Sequence, residues 1–374
     1  MKYLMISRIR TALGDSLLHA AVSGLMLAGV AAALFSESPA KAQPGQPAGS
    51  LINPAGIAFN PASRKVYAVD TARNQVEIAR AGEPGTQRVA VGVAPIALAI
   101  DARTNRIFVA NEGDGTVSVI DGRGDQAVSL LRVGSRPYSI AVNAATGRVY
   151  LTHTFNDDLT VIDEATLAVR QVRPGSRDLI VIDEEANTVY LLGYEGPQMT
   201  VMDGVTESFQ LRPTGGHIWG AAMDRQGTLY IARIGSNELA IIARGAKSPS
   251  TLPTGEMPCA VALDEDAGKA YVANYAAGSV TVMDLKQGGA VATLEAGDRP
   301  QAVALDPPRH RLFVANTHQG KITVIDTAIG RPLAQLDAGA SPYAFVVAPG
   351  ADVVYVANQP GGMTAVSLKT LPAA

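Results

Sequence analysis

Short apolar runs of four to six residues, each closed by Gly, Asn, Asp or Pro, follow one another along the chain from about residue 50 to the C-terminus. Between Arg136 and Gly175 they read YSIAVN, RVYLTH, LTVIDE and LAVRQV. Alternation within each run, and turn residues between runs, predict four β-strands in this stretch. Apolar residues at i, i+3, i+4 and i+7 are not sustained anywhere in this region, so helix is a minor component.

The four-strand pattern recurs. Its second strand is the most regular part: KVYAVD, RIFVAN, RVYLTH, TVYLLG, TLYIAR, KAYVAN, RLFVAN and VVYVAN. Their aromatics are Tyr67, Phe108, Tyr150, Tyr190, Tyr230, Tyr271, Phe313 and Tyr355, spaced by 41, 42, 40, 40, 41, 42 and 42 residues. So constant a period implies a repeat architecture in which each unit buries its faces against its neighbours. Four strands per unit arranged radially make a β-propeller, so the fold class is all-β, a single ring of eight four-stranded blades, with seven blades as the alternative. The last unit has three clear strands, YAFVVA, VVYVAN and MTAVSL. An N-terminal strand, Ala48–Ile52, is therefore expected to close the final blade by pairing with Met363–Leu368.

The third strand ends in Asp121, Asp163, Asp203, Asp284 and Asp326 in five units, where the others carry Arg80, Ala243 and Leu368. A carboxylate at that place reads as a turn former that binds nearby backbone N–H groups. The acidic runs Asp157-Asp158 and Asp183-Glu184-Glu185 read as solvated loops; they lack the alternating oxygens of a calcium loop.

The Y-V-A-N and V-I-D elements, with G-x-x-P before the first strand, resemble the YVTN-type repeat propellers over roughly residues 50–370. That family is commonly seven-bladed, whereas eight blades occur in the haem domain of a bacterial nitrite reductase and its relatives. The resemblance is specific for fold and says little of activity.

Residues 1–42 have the layout of a secretory signal peptide: Lys2, Arg8 and Arg10, an apolar run Leu17–Phe35, and Ala40-Lys41-Ala42 before a cut ahead of Gln43. An uncleaved anchor is the other reading of the apolar run. Residues 43–49 form a leader, and residues 50–374 the propeller domain. The expected location is periplasmic or secreted, with no membrane span after cleavage. Of the net charge of −3, removal of residues 1–42 takes four basic and two acidic side chains and leaves −5. Such a surface offers no basic face for nucleic acid. The chain reads as a monomer.

Motifs for chemistry are sparse. G-x-S-x-G, C-x-x-C, H-E-x-x-H and a phosphate loop are all missing, and the one cysteine, Cys259, reads as a buried apolar residue. No cofactor and no metal site are predicted. Departures from the repeat carry more information. Six units place proline before the first strand, at Pro54, Pro95, Pro137, Pro258, Pro300 and Pro342; units four and five carry Arg177 and Ile218 instead. In a propeller these connections meet the loops between second and third strands at one mouth of the ring. The candidate ligand-binding residues there are Arg136, Tyr138, His153, Arg177, His217, Trp219, Arg299 and Tyr343. Arginine forks suit carboxylate or phosphate, and the aromatics supply an apolar wall.

Three functions stay open. A non-catalytic exported propeller binding a small anionic ligand or another exported protein fits the lack of motifs. A periplasmic enzyme or enzyme subunit is the second: the fold resembles virginiamycin B lyase and the heavy subunit of quinoprotein amine dehydrogenases, and His217 with Glu256 would be the acid–base pair. The third is a non-covalent haem or quinone carrier with His153 or His217 as axial ligand.

Overall fold

The computed structural model describes residues 56–154, 157–175, 178–194, 196–359 and 361–371, together with the backbone of Ala32–Ala33. The chain forms eight four-stranded sheets, and in seven of them the first strand of the unit is innermost and the fourth outermost. Blade one runs from Ile57–Asn60 to Gln87–Ala90, blade two from Pro95–Asp101 to Gln126–Arg132, and the pattern continues to blade eight, Pro342–Val347, Val353–Asn358 and Met363–Ser367. Innermost strands touch their neighbours all the way round, and Ile57–Asn60 of blade one meets Pro342–Val347 of blade eight. The ring is closed with eight blades, as the repeat count predicts. Among the described residues the only helical pieces are two short 3-10 turns, Pro307–Arg309 and Thr317–Gln319.

The fourth strand of the last sheet is Ala32–Ala33, which runs parallel to the innermost strand, with Ala32 opposite Phe345 and Ala33 opposite Val346. It lies on the inner edge of the blade. Closure on the outer edge by Ala48–Ile52, and the cleavage site Ala40-Lys41-Ala42, lie outside the described residues.

Each aromatic of the second strand is packed between adjacent sheets: Tyr67, Phe108, Tyr150 and Phe313 are fully buried. Around them the apolar faces of consecutive blades form the core as a series of interblade layers. Burial leaves the Tyr hydroxyls in need of partners, and Tyr67 donates to Asp125 Oδ1 of the next blade at 3.0 Å. Burial and that carboxylate push the Tyr67 hydroxyl pKa far above the ordinary tyrosine value.

On the face where first and second strands turn, blades are latched in one direction over the first half of the ring. Lys65 donates to Gly122 O at 3.1 Å and to Asp125 at 2.6 Å, Arg106 to Glu164 O, and Arg148 to Gly204 O at 2.5 Å. In blades four and five Thr188 and Thr228 occupy that slot. The latch reverses there: Arg244 of blade five reaches back to Asp183 at 2.6 Å and Glu185 at 3.0 Å of blade four. Asp183 is buried, so the reading of residues 183–185 as a solvated run is corrected for this carboxylate. Sequence reasoning took its acidity as solvent-facing because its cation lies 61 residues away.

Third-strand aspartates behave as turn formers. One carboxylate oxygen accepts from two backbone N–H groups just beyond it, as Asp203 does from Val205 and Thr206 at 2.8 Å and Asp326 from Ala328 and Ile329. Those bonds favour the charged form and lower the pKa values of Asp203 and, through Thr166, Asp163.

Candidate functional site

Opposite the latches, the segment entering each innermost strand meets the loop between second and third strands. The proline slot pairs with the last residue of the second strand: Pro95 with Asn111, Pro137 with His153, Ile218 with Arg233, Pro258 with Asn274, Pro300 with Asn316, Pro342 with Asn358. Register then slips directly after the slot. The residue added by each slip is Ile96, Trp219, Cys259, Gln301 or Tyr343, with Tyr138 at the same place in blade three. A bulge of this kind re-aims one side chain, so the fold itself sets a ring of variable residues at this rim. Left-handed backbone at the preceding residue recurs too, at Ala94, Arg136, Met257 and Arg299, all near φ +50°. Recurrence in four blades makes it a property of the entry turn.

Asparagine at the end of the second strand bridges to the third. Asn274 Nδ2 donates to Ser279 Oγ at 3.1 Å and Thr281 Oγ1 at 2.8 Å, and Asn316 Nδ2 donates to Thr323 Oγ1 at 2.8 Å. His153 takes this role in blade three. It is buried, with Nε2 2.8 Å from Thr160 Oγ1 and Nδ1 donating to Ser135 O at 2.9 Å. Burial lowers its pKa, which favours the neutral ring. Any ligand bond from His153 must first displace one of these contacts.

Blades three to five form one connected group. The Tyr138 and Tyr194 hydroxyls are hydrogen-bonded to each other, and burial raises both pKa values well above the ordinary range, with the Asp178 charge adding to the effect. Asp178 Oδ2 accepts the Tyr194 backbone N–H at 3.0 Å, and His217 Nδ1 donates to the Tyr194 carbonyl at 3.1 Å. Arg136, half exposed, donates to Glu112 Oε1 through Nε at 3.1 Å and Nη2 at 2.8 Å. Arg177 lies outside the described residues. Glu256 is exposed one blade beyond His217.

A second group continues round the rim. Trp219 and Tyr275 rings are 5.4 Å apart between centroids, Tyr275 and His318 rings 6.5 Å, and Tyr275 Oη lies 3.3 Å from His318 Nε2. Arg299 is exposed and 4.0 Å from Asp298. Tyr343 is buried, and a Cβ on Gly56 would stand 2.0 Å from its hydroxyl. Glycine at residue 56 thus seats Tyr343 across the blade eight to blade one junction. The rim brings Arg136, Tyr138 and His217 close to one another through Glu112 and Tyr194, whereas Arg299 and Tyr343 sit on blades seven and eight. Tyr194 and Tyr275, which follow the asparagine slot in blades four and six, were not singled out by sequence reasoning. The signal available was a lone tyrosine where other blades carry Thr71, Glu112 or Thr317.

Similar solved structures share the fold at low identity. Hydrazine synthase of Kuenenia stuttgartiensis matches with a TM-score of 0.56 and 16% identity, covering 89% of this chain and 99% of that one. The dihydro-heme d1 dehydrogenase NirN matches at 0.69 and 13%, covering 97% and 84%. The C-terminal WD40 domain of Sif2 matches at 0.69 and 14%, covering 85% and 97%. No curated protein matches the sequence. The family described as YNCE-like beta-propeller matches residues 30–351. That span runs from before the first blade into the eighth, in keeping with the Y-V-A-N repeats, and the chain belongs to the YNCE-like beta-propeller family.

Proposed function

We propose that this protein is an exported, non-catalytic propeller that binds a small anionic ligand at the rim of blades three to five. One observation carries the reading: three consecutive blades join their variable rim residues into a single group, Arg136, Tyr138, Asp178, Tyr194 and His217. Trp219 begins the next stretch of wall. The Arg136 guanidinium donates two N–H groups to the single Oε1 oxygen of Glu112 at the surface, where an exposed ion pair is worth little, so an incoming carboxylate or phosphate can exchange for it. Export rests on the charged N-terminus, the apolar run and Ala40-Lys41-Ala42.

Calorimetric titration of carboxylate- and phosphate-bearing metabolites is the test. For a ligand so identified, Arg136→Ala and Arg177→Ala should each lose about 1.5–3 kcal/mol of affinity, the scale of a charged hydrogen bond. Trp219→Ala should weaken binding as well. If all three variants bind like the parent, the rim of blades three to five is scaffold. Mass spectrometry of the extracytoplasmic fraction should find Gln43 as the mature N-terminus; intact residues 1–42 in the membrane fraction would favour the anchor.

A further inference from the structure

We infer that the small ligand of this rim is an amino acid or a related zwitterion, its carboxylate taken by Arg136 of blade three and its ammonium by Glu112 of blade two. The inference rests on the reading that the rim binds a carboxylate or phosphate, and it names the second charge that such a ligand carries.

The ion pair itself is the first observation. Glu112 follows the asparagine slot of blade two, a place where the other seven copies carry Thr, Tyr, Ile or Gln and no charge. Arg136, just before the proline slot of blade three, crosses the blade junction to meet it, with Nε at 3.1 Å and Nη2 at 2.8 Å from Oε1. The second oxygen of Glu112, Oε2, accepts no bond from a described residue. Among the described residues no other junction carries an ion pair between blades on this rim; Lys65 with Asp125, Arg148 with Glu207 and Arg244 with Asp183 join blades on the opposite face. The ring closes without such a pair elsewhere, so the scaffold does not call for this one. Its side chains are 48% and 25% exposed, and a solute reaches both.

The charge around the pair is the second observation. Burial raises the Tyr138 pKa first and Tyr194 next, and the Asp178 and Glu112 carboxylates then add to the rise, so acids of blades two and four both act on one hydroxyl of blade three. Within this group of described residues two carboxylates face one guanidinium. A plain anion that takes Arg136 leaves Glu112 without its partner and sets a further negative charge beside it, a like-charge contact that lowers affinity. An ammonium on the same ligand removes both costs. The guanidinium and the carboxylate are in contact, so the ligand's two charges must lie close together as well. An α-amino acid carries both at neutral pH on the two sides of one carbon. Specificity comes from repulsion as much as from attraction, and Glu112 is the element that turns plain anions away.

The test is calorimetric titration of the common α-amino acids, each beside its N-acetyl derivative, which keeps the carboxylate and loses the ammonium. At least one amino acid should bind, and its derivative should bind about ten-fold more weakly, the scale of one charged hydrogen bond. Glu112→Gln removes the charge and keeps the size of the side chain. In that variant the amino acid should weaken about ten-fold, while the N-acetyl derivative binds as in the parent or more tightly. A merely structural Glu112 would move both probes in the same direction, and an unchanged melting temperature checks that the variant is folded. Arg136→Gln should weaken both probes. N-acetyl derivatives that bind as tightly as their amino acids, or a Glu112→Gln variant that binds the amino acid like the parent, would overturn the inference. If plain carboxylates or phosphates bind through Arg136 as tightly as any amino acid, anion binding stands and the zwitterion falls; if neither class binds, both fall.

Discussion

Asn274, Asn316 and His153 occupy one slot with two chemistries, and the comparison separates scaffold from candidate site at single-residue resolution. The amide of Asn274 is buried and spans two hydroxyls of the neighbouring strand. Removing it in Asn274→Ala leaves those hydroxyls without their donor, so the variant should lose about 1–3 kcal/mol in guanidinium unfolding. His153→Asn restores the repeat's own residue facing Thr160. It should fold with stability within about 1 kcal/mol of the parent, because the amide can remake the bond to Thr160. A drop in ligand affinity in that variant would give His153 a role beyond the scaffold; unchanged affinity would confine it to the strand bridge. The slot itself was legible because four of its eight copies, Asn111, Asn274, Asn316 and Asn358, carry the same residue, and a departure is visible only against a consensus. Tyr194 and Tyr275 were not, since the next position along has none.

At the level of strands and turns, the alternation of apolar residues and the forty-residue period set out four strands per blade and the order of blades. Long-range polar pairing could not be read in that way. Asp183 finds Arg244 and Glu164 finds Asp101 only after blades are stacked, and a run of acidic letters looks the same whether solvated or latched. Arg244→Ala should destabilise by about 1–3 kcal/mol, as it strips the buried Asp183 carboxylate of both guanidinium bonds. Glu164 gives a pH-dependent counterpart. It is buried at the interface of blades two and three, where it faces Asp101, Thr104 and Arg106. Burial, and then the Asp101 carboxylate, push its pKa up to about 7. Glu184 of blade four, near Asp101 and Arg103, is also raised by burial. A folded state that holds its proton more tightly than the unfolded chain gains stability as pH falls through that value, and loses it as pH rises. Thermal unfolding should therefore show stability increasing from pH 8 down to about pH 5, until the Asp163 and Asp203 turns, whose pKa values are lowered, lose their charge at still lower pH. Glu164→Gln should flatten the upper part of the profile and raise the melting temperature at pH 8. A profile unchanged by Glu164→Gln would remove this carboxylate from the account.

On the scale of the whole ring, stability depends on how the first and last blades are joined. Blade one touches blade eight directly: Tyr355 donates to Arg80 O at 3.2 Å and accepts from the Gly82 N–H at 2.9 Å, and Glu77 accepts the Met363 N–H at 2.7 Å. These contacts hold the junction by side chains and turns. In the other seven blades a fourth strand covers the outer edge, whereas in blade eight the described fourth strand is Ala32–Ala33 on the inner edge. Met363–Ser367 is thus the strand for which Ala48–Ile52 was expected as partner, and a bare edge there would invite pairing with another chain. On the proposed export, cleavage before Gln43 would remove Ala32–Ala33 and retain Ala48–Ile52. Two truncations decide between the edges. A chain beginning at Gln43 should unfold in one transition with the midpoint of the full-length protein, since two parallel pairs at the inner edge contribute little. A chain beginning at Asn53 should lose several kcal/mol, at about 0.5–1.5 kcal/mol for each backbone hydrogen bond removed, and should aggregate faster on warming. If instead the chain beginning at Gln43 loses stability and the one beginning at Asn53 loses no more, the inner pairing at Ala32–Ala33 is the clasp, and closure by Ala48–Ile52 is wrong.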